Sequence, residues 1–324
     1  MKNRFCQLFG VQHPIMQGGM QWLATPELAA AVSNAGGLGT INASISKDKE
    51  DLVRLIRSTK DLTDKPFALN ISMLPNLAAG DRTDEFMDTA IEQHVPVVET
   101  CGRSPADYVP ALHAAGIRVI HKVTSVRHAI KAEQAGVDAI SVVGFEAGGH
   151  PGMDYVGTFV LIPAVANIIQ IPLLAGGGVC DGRGYMAARC LGADGVLMGT
   201  RFMASEECWL PEPFKQVMVS AGERDTILVQ KTIRNACRVW KNQACMSLYE
   251  REAHGDPTLE EVLSVVNGAR QKRCYEAGDV QNGAFPCGQC VGLIQSVQPA
   301  AEIIRNILQE AQVLCAQLGP GGTP

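Results

Sequence analysis

Aromatic and charged residues are both scarce in this chain of 324 residues, at 5% and 19% of the sequence. Acidic side chains outnumber basic ones, so the net charge is −5. A nucleic-acid-binding protein needs a basic face, and we therefore expect no nucleic-acid partner. No stretch approaches the roughly 20 consecutive apolar residues that cross a bilayer, so we expect no membrane partner either.

Disulfide bonds are also not favoured by the sequence. Its eleven cysteines are an odd number scattered along the chain, and residues 1–7 lack the apolar stretch of a secretory signal. Reduced thiols in a cytoplasmic protein are the expected state. Cys287 and Cys290 form one C-x-x-C pair, but no second pair completes a zinc site. We expect no metal, and a packing role for both cysteines.

Glycine, in contrast, is abundant at 33 residues, and it recurs where short apolar runs end. Eight runs of strand type alternate with seven amphipathic segments of helix type. The runs are residues 14–17, 37–41, 67–71, 95–99, 117–121, 137–143, 171–175 and 194–198. This alternation predicts an α/β fold, a TIM (β/α)8 barrel of parallel strands.

The alternation ends near residue 204, and strand patterns are missing from there to 286. Polar segments of helix type follow at 211–221, 229–252 and 259–277, and a last, apolar helix is predicted over 291–318. We predict a barrel of residues 1–203 and 287–324. Residues 204–286 are predicted to form a smaller helical, substrate-binding domain inserted before the last barrel helix, as a cover over the mouth. The alternative is a separate helical domain comprising everything after residue 204.

Glycine-rich turns follow the sixth, seventh and eighth apolar runs. The sixth run leads into residues 144–150, where Gly149 permits close approach to a ligand and His150 can transfer a proton near neutral pH. The other two runs lead into Gly176-Gly177-Gly178 and Gly199-Thr200, whose backbone N–H groups suit a phosphate. In a barrel these turns share the end that carries active sites. The sequence thus predicts a phosphate site beside a proton-transfer residue.

Other predicted strands also end in polar or glycine-rich residues. Gln17-Gly-Gly-Met20 follows the first strand, Asn70 and Ser72 end the third, and Lys122 ends the fifth. The two glycines would let backbone lie along a flat ring system, and the lysine could stabilise an electron-rich ligand. The alternatives are a rim charge for Lys122 and a structural role for His150. A Rossmann domain is disfavoured, because the glycines at 36–39 lie between a helix and a strand, the wrong order for its fingerprint.

Several of these stretches resemble the nitronate monooxygenase family, formerly called 2-nitropropane dioxygenase. The matching motifs are residues 14–20, 35–39, 147–150, 176–184 and 198–202, and the resemblance covers essentially the whole chain. It implies an FMN-binding TIM barrel with a helical substrate-binding domain. It also implies phosphate contacts at Gly176, Gly177, Gly178, Gly199 and Thr200, flavin-ring contacts at Gly19, Met20, Gln21, Ser72 and Lys122, and a catalytic histidine at His150.

The family's reaction is the oxidation of alkyl nitronates by O₂ to a carbonyl compound and nitrite, and it is the function we expect first. Two alternatives use the same fold and FMN: an NAD(P)H:quinone reductase, supplied by NADH or NADPH, and an enoyl-thioester (enoyl-ACP) reductase. Residues 73–80 could shape a nicotinamide site in such an enzyme. A non-catalytic FMN-binding protein is a remote alternative.

The remaining expectations concern the substrate and the assembly. Arg234 and Asn235, in the predicted cover, carry polar side chains that could reach an anionic or carbonyl group of a substrate. Small molecules are the expected partners of the chain. A homodimer is the assembly to test.

Overall fold

The computed structural model describes residues 3–73, 80–255 and 257–318. Its eight parallel strands are β1 Ile15–Gln17, β2 Gly39–Asn42, β3 Phe67–Met73, β4 Val97–Gly102, β5 Arg118–Val123, β6 Ala139–Val143, β7 Leu173–Gly176 and β8 Gly195–Met198. They form one sheet in the order β1-β8-β7-β6-β5-β4-β3-β2. A bridge between Met16 and Leu38 joins the two ends and closes the barrel. The predicted TIM barrel is confirmed, and each strand overlaps the apolar run that predicted it.

Helices alternate with the strands and form the outer layer. They are α2 Pro26–Asn34, α3 Lys49–Leu62, α4 Thr83–Glu92, α5 Val109–Ala114, α6 Val126–Gln134, α7 Thr158–Ala166 and α8 Gly182–Cys190, with α14 Ala300–Leu318 packed against α2 and α8. Side chains that accept a first-turn N–H begin several of them, such as Asp48 for α3 and Ser125 for α6. The helices therefore start where the sequence supplies a cap, directly after each turn at the mouth.

A short helix that the sequence did not predict, α1 Arg4–Phe9, closes the opposite end of the barrel. Phe5 and Phe9 are buried against inward-facing residues from around the barrel: Met16, Leu38, Ala68, Val97, Ile120, Ala139, Leu174 and Leu197. An ion pair of 2.7 Å between Arg4 and Asp194 ties the helix to the start of β8. The carboxyl ends of the strands are thus left as the open end.

After β8 come the short helix α9 Thr200–Met203, then α10 Glu212–Ser220, α11 Gln243–His254, α12 Leu259–Val265 and α13 Gly268–Ala277. An antiparallel hairpin of β9 Thr226–Val229 and β10 Cys237–Trp240 lies between α10 and α11. The prediction of helix from residue 229 was therefore wrong up to residue 242. Cys237 and Val239 are buried against α11 and α12, and β10 also pairs with Gly149 and Pro286. Contacts with distant segments override the local helical pattern here.

The last barrel helix also begins later than the sequence predicted. Residues Gln289–Leu293 form a 3₁₀ turn, and α14 starts at Ala300 instead of residue 291. Pro299 stands immediately before the helix, where its fixed backbone angle is tolerated; farther inside it would break the hydrogen-bonding pattern. Within the described ranges, no helix is long and apolar enough to cross a membrane.

Candidate functional site

A buried chain of polar side chains crosses the barrel beneath its open end. Asn42 Nδ2 donates to Asn70 Oδ1 at 3.1 Å, and Asn70 Nδ2 donates to Glu99 Oε2 at 2.6 Å. The Nζ of Lys122 lies 3.4 Å from Glu99 Oε1. Glu99 is 0% exposed, so its charge needs the compensation that the lysine and the amide supply. The sequence prediction included Asn70 and Lys122 but missed Asn42 and Glu99.

The charge of Lys122 is maintained by this arrangement. Burial lowers the pKa of the ammonium, but the nearby Glu99 carboxylate and Cys101 thiol raise it by more, so the pKa lies above its ordinary value of 10.5. The side chain remains 20% exposed. Lys122 is therefore a cation held beneath the mouth with one part accessible to a ligand.

The turn after β1 lies directly against this polar chain. A Cβ at Gly19 would lie 2.3 Å from Cγ of Asn70, so no side chain fits there. Met20 lies beside Gly199, and Gln21 lies beside Gly268 at the start of α13. The residues predicted after β1 therefore lie close to Asn70, to the turn after β8 and to the start of α13.

Ser72 is half-buried near the end of β3. The sequence suggested that the adjoining residues 73–80 shape a nicotinamide site. Positions 74–79 of this segment lie outside the described residues.

The glycine turns after β7 and β8 form a set of hydrogen-bond donors. Gly176 ends β7, and the N–H groups of Gly177, Gly178, Gly199 and Thr200 donate to no group within the described ranges. The Oγ1 of Thr200 accepts from the N–H of Gly288 at 2.9 Å, which leaves its proton free to donate. Gly177 has a φ of 89°, and a Cβ on it would lie 3.1 Å from the carbonyl oxygen of Gly144. Such a cluster of convergent donors suits an anion.

His150 follows β6 at the same end of the barrel and is solvent exposed. No group in the described part of the chain makes a hydrogen bond with its side chain. Although part of the residue is exposed, the protein atoms around the imidazole partly desolvate it, and this desolvation lowers the pKa of His150 below its ordinary value of 6.5. The ring is therefore neutral at pH 7, with a lone pair available to accept a proton.

The loop that carries His150 is clamped from two sides. The N–H of Gly149 donates to the carbonyl of Arg238 at 3.0 Å, and the N–H of Arg238 donates back to Gly149 at 2.6 Å. A Cβ at Gly148 would lie 2.7 Å from the backbone of Cys287, so the segment around Cys287 packs directly against the loop. The loop is thus held by the hairpin of β9 and β10 and by the segment that precedes the last helix.

Arg238, which the sequence analysis missed, joins β10 to the His150 loop through its side chain. It is 4% exposed, and its Nε and Nη2 donate to the carbonyl of Phe145 at 3.2 and 3.0 Å. Its Nη1 donates to Thr226 Oγ1 at 3.2 Å, and its guanidinium lies 4.7 Å from the centre of the Phe145 ring. An arginine in an otherwise apolar β-strand is the signal that could have singled it out.

Arg238→Lys is expected to loosen the loop, because an ammonium cannot reproduce the planar fork or the stacking on Phe145. Lost hydrogen bonds from a charged group correspond to about 1.5–3 kcal/mol. The amide hydrogen of Gly149 should then exchange with solvent at least ~10-fold faster. Arg305→Lys on the exposed face of α14 is the matched control. Unchanged exchange at Gly149 would contradict the clamp.

The remaining predicted residues lie elsewhere. Arg234 and Asn235 are exposed in the turn between β9 and β10, where the Asn235 amide donates to Gln230 Oε1 at 3.5 Å. Cys287 is buried beside Arg238, and burial raises the pKa of its thiol to about 12. Cys290 is buried beside Cys180. A thiol as poorly ionised as that of Cys287 is unreactive, which is consistent with a packing role.

Comparison with known proteins identifies relatives over the full length. Residues 2–310 match the family described as nitronate monooxygenase. A probable nitronate monooxygenase from Staphylococcus aureus is 32% identical, with 95% of this chain and 97% of the relative covered. The structure of FabK from Thermotoga maritima is 37% identical, with a TM-score of 0.91 over 98% of both chains. A nitroalkane oxidase from Streptomyces ansochromogenes is 26% identical, with a TM-score of 0.83 over 98% of this chain and 100% of that one.

Proposed function

The chain belongs to the nitronate monooxygenase family, and we propose that it is an FMN-dependent enzyme that oxidises alkyl nitronates with O₂ to carbonyl compounds and nitrite. Its membership makes it an oxidoreductase acting on small molecules. The observation that carries the proposal is a neutral, exposed histidine at the barrel end that also presents a set of backbone donors without partners among the described residues.

The residues present fit FMN. The free N–H groups at Gly177, Gly178, Gly199 and Thr200 would hold its phosphate, with Gly176 setting the turn. Gly19, which has no room for a side chain, would lie along the flavin ring together with Met20, Gln21 and Ser72. Lys122 would place its positive charge at the ring. FMN, when bound, supplies the electron transfer, and the protein supplies position and charge.

His150 would act on the substrate itself. Its neutral imidazole would accept the acidic proton of a nitroalkane carbon, or hydrogen-bond an anionic oxygen of a nitronate that is already formed. Gly149 beside it would allow the substrate to approach the loop backbone. The carbon that loses the proton would become the carbonyl carbon of the product, and the nitro group would leave as nitrite.

We propose that residues 1–203 and 287–324 bind FMN, and that residues 204–286 cover the mouth and shape the substrate site. Arg234 and Asn235 are the proposed substrate contacts within that cover. Their exposed position in the hairpin turn leaves both side chains free to meet a ligand.

Reduction of an enoyl thioester is the second candidate. The similarity to FabK, at 37% identity and a TM-score of 0.91, favours it. Such an enzyme, like a quinone reductase, would draw its electrons from NADH or NADPH. Either reaction would use the same loops and the same histidine at the mouth, so the electron donor is the property that distinguishes them.

Anaerobic mixing of the FMN-loaded protein with a nitronate, NADH or NADPH tests these candidates. Loss of the oxidised flavin absorbance on addition of nitronate, followed by nitrite release with O₂, is the result expected. Bleaching by NADH or NADPH without bleaching by nitronate would instead select the reductase, with quinone and enoyl thioester then compared as acceptors. No bleaching by any donor would point to a non-catalytic flavin-binding protein.

Gly177→Ala is expected to weaken FMN binding by roughly 5–30-fold, since a left-handed backbone costs a side-chain residue about 1–2 kcal/mol. Its Cβ would also lie 3.1 Å from the Gly144 carbonyl, at the edge of the phosphate turn. The measurement is quenching of FMN fluorescence during titration of apoprotein. Gly116→Ala is the control, because Gly116 has a φ of 75° and no atom within 4 Å of an added Cβ. Equal FMN affinities in the two variants would show that the turn does not bind the phosphate.

A further inference from the structure

Two hydroxyl groups in the interior of the barrel have no hydrogen-bond partner among the described residues. They are Oγ1 of Thr40 on β2 and Oγ of Ser141 on β6. Both residues are 0% exposed, so bulk solvent does not reach them. A buried hydroxyl without a hydrogen bond is costly, and such groups are rare in native proteins. Each of these hydroxyls therefore needs a partner that the described side chains do not supply.

The two hydroxyls share one layer of the barrel interior with the carboxylate of Glu99. On each of β2, β4 and β6 an inward-facing residue packs beneath α1 at the closed end, and the residue two positions later faces inward again. These later residues, one step nearer the mouth, are Thr40, Glu99 and Ser141. Alternate strands of a TIM barrel contribute side chains to the same layer. The carboxylate therefore lies between the two hydroxyls in the order of the strands.

The carboxylate of Glu99 has room for a further hydrogen bond. Its Oε2 accepts from the Asn70 amide at 2.6 Å, whereas the Nζ of Lys122 lies 3.4 Å from Oε1 and 3.5 Å from Oε2. A direct bond between an ammonium and a carboxylate is shorter, at about 2.7–2.9 Å. Since an ionised carboxylate offers about four acceptor positions and an ammonium three donors, both groups retain hydrogen-bonding capacity.

We propose that this layer is a binding site for ordered water, which links the hydroxyls of Thr40 and Ser141 to the carboxylate of Glu99. We name these three residues the interior water site. A buried water typically makes about three hydrogen bonds to polar groups that lack other partners. Each hydroxyl can donate to the water or accept from it, and the water can donate to the carboxylate. One or two waters would satisfy every group in the layer.

The other side of the same layer is apolar and packed. Leu197 of β8 faces inward there, and a Cβ on Gly18 or Gly176 would lie 3.5 or 3.4 Å from its side chain. The leucine therefore fills the space beneath these two glycines. The polar groups are confined to the half of the interior formed by β2 to β6, where water has several polar neighbours.

Water fits the interior water site better than a cation does. The ammonium of Lys122 already compensates the charge of Glu99, and it would repel a metal ion bound to the same carboxylate. The described residues also contain no group of three or more His, Cys, Asp or Glu side chains that could hold a metal. A neutral ligand that both donates and accepts hydrogen bonds is what the layer requires.

The interior water site extends the buried polar chain across the barrel. That chain runs from Asn42 on β2 through Asn70 and Glu99 to Lys122 on β5. Water between Glu99 and Ser141 would carry it to β6, the strand that leads into the His150 loop. Lys122 is 20% exposed at the mouth, so the charge that it presents there would be coupled to the interior water. The water does not depend on which reaction the enzyme catalyses.

A crystal structure of the FMN-loaded protein, at a resolution that shows ordered water, tests the proposal directly. We expect density for water within about 2.5–3.2 Å of the Thr40 and Ser141 hydroxyls, linked to the carboxylate of Glu99. An empty interior would overturn the proposal. So would a metal ion, which its shorter contacts of about 2.0–2.6 Å to oxygen would reveal.

The sign of a stability change gives an independent test. Thr40→Val keeps the shape of the side chain, and Ser141→Ala removes only the hydroxyl. If the hydroxyls bind water, each substitution should raise the unfolding equilibrium constant by roughly 2–10-fold, the effect of losing one hydrogen bond. If the hydroxyls are dry, the same substitutions remove an unsatisfied polar group and should make the protein more stable.

Thr59→Val provides the matched reference for these measurements. Thr59 is also 0% exposed, but its Oγ1 donates to the carbonyl of Leu55 at 2.9 Å, so its hydrogen bond is visible in the structure. Urea denaturation at a fixed, saturating FMN concentration gives the unfolding constants. Thr40→Val and Ser141→Ala should shift them in the same direction as Thr59→Val. Unchanged or increased stability in the first two variants would overturn the proposal.

Discussion

Replacing His150 by asparagine is expected to lower turnover on a neutral nitroalkane by roughly 10²–10⁴-fold, the usual contribution of a positioned general base. Asparagine keeps part of the size and hydrogen-bonding capacity but cannot accept the proton. FMN should remain bound, because the proposed phosphate donors are in other loops. The loss should be smaller on a pre-formed nitronate, which has no carbon-bound proton to remove. Steady-state kinetics with both substrates provides the measurement.

The pH profile gives a second readout of the same residue. The pKa of His150 lies below 6.5, so the base is present at neutral pH and is lost as the pH falls through that lower value. Activity on neutral nitroalkane should decline on the acid side, while the asparagine variant shows no such decline. His128→Asn, on the exposed side of α6, is the matched control. Unaltered turnover with both substrates would assign His150 a structural role.

Lys122→Met is expected to destabilise the apoprotein by about 3–5 kcal/mol, the range found when one partner of a buried ion pair is removed. The substitution leaves the carboxylate of Glu99 fully buried, with the Asn70 amide as its remaining side-chain donor among the described residues. Glu99→Gln should cost less, because Lys122 is 20% exposed and water compensates part of its charge. Urea denaturation of the two variants and the wild type gives these free energies of unfolding.

The double variant Glu99→Gln with Lys122→Met completes the cycle. It should be more stable than the sum of the two single effects predicts, since neither charge is then left alone. The pKa of Lys122 is raised above 10.5, so its contribution is fully present below that pH and is lost only as the pH rises through the higher folded value. Additive single effects at pH 8 would show that the two groups do not stabilise each other.

The barrel was predictable because its signals are local. Each strand is a short apolar run, and the glycine turns after β6, β7 and β8 stand directly after such runs in the sequence. The hairpin of β9 and β10 was missed because the partners of β10 include Gly149 and Pro286, which are far away along the chain. Its local pattern alone resembles a polar helix.

The positions of the candidate site residues were also predictable in part, for the same reason. Asn70, Lys122 and His150 stand at strand ends, where a barrel places functional groups. Glu99 could have been predicted by the same reasoning. An acidic residue in an apolar strand, next to a strand that carries a lysine, indicates an ion pair. In the segment 234–238, however, polarity drew attention to Arg234, whereas Arg238 contacts the His150 loop. Which arginine turns inward depends on the register of the hairpin, a property that no single stretch of sequence contains.

The position of α14 has a consequence for how the protein folds during synthesis. All eight strands have been synthesised once residue 198 is added, yet the helix that fills the space between α2 and α8 begins only at residue 300. Synthesis of the intervening chain takes roughly 5–20 s at typical bacterial and eukaryotic rates. During that time the apolar groove that will receive Ile303, Ile304 and Ile307 stays open to water. These seconds are when the nascent chain most needs protection by chaperones, and a chain that stops before Ala300 would remain permanently in that exposed state.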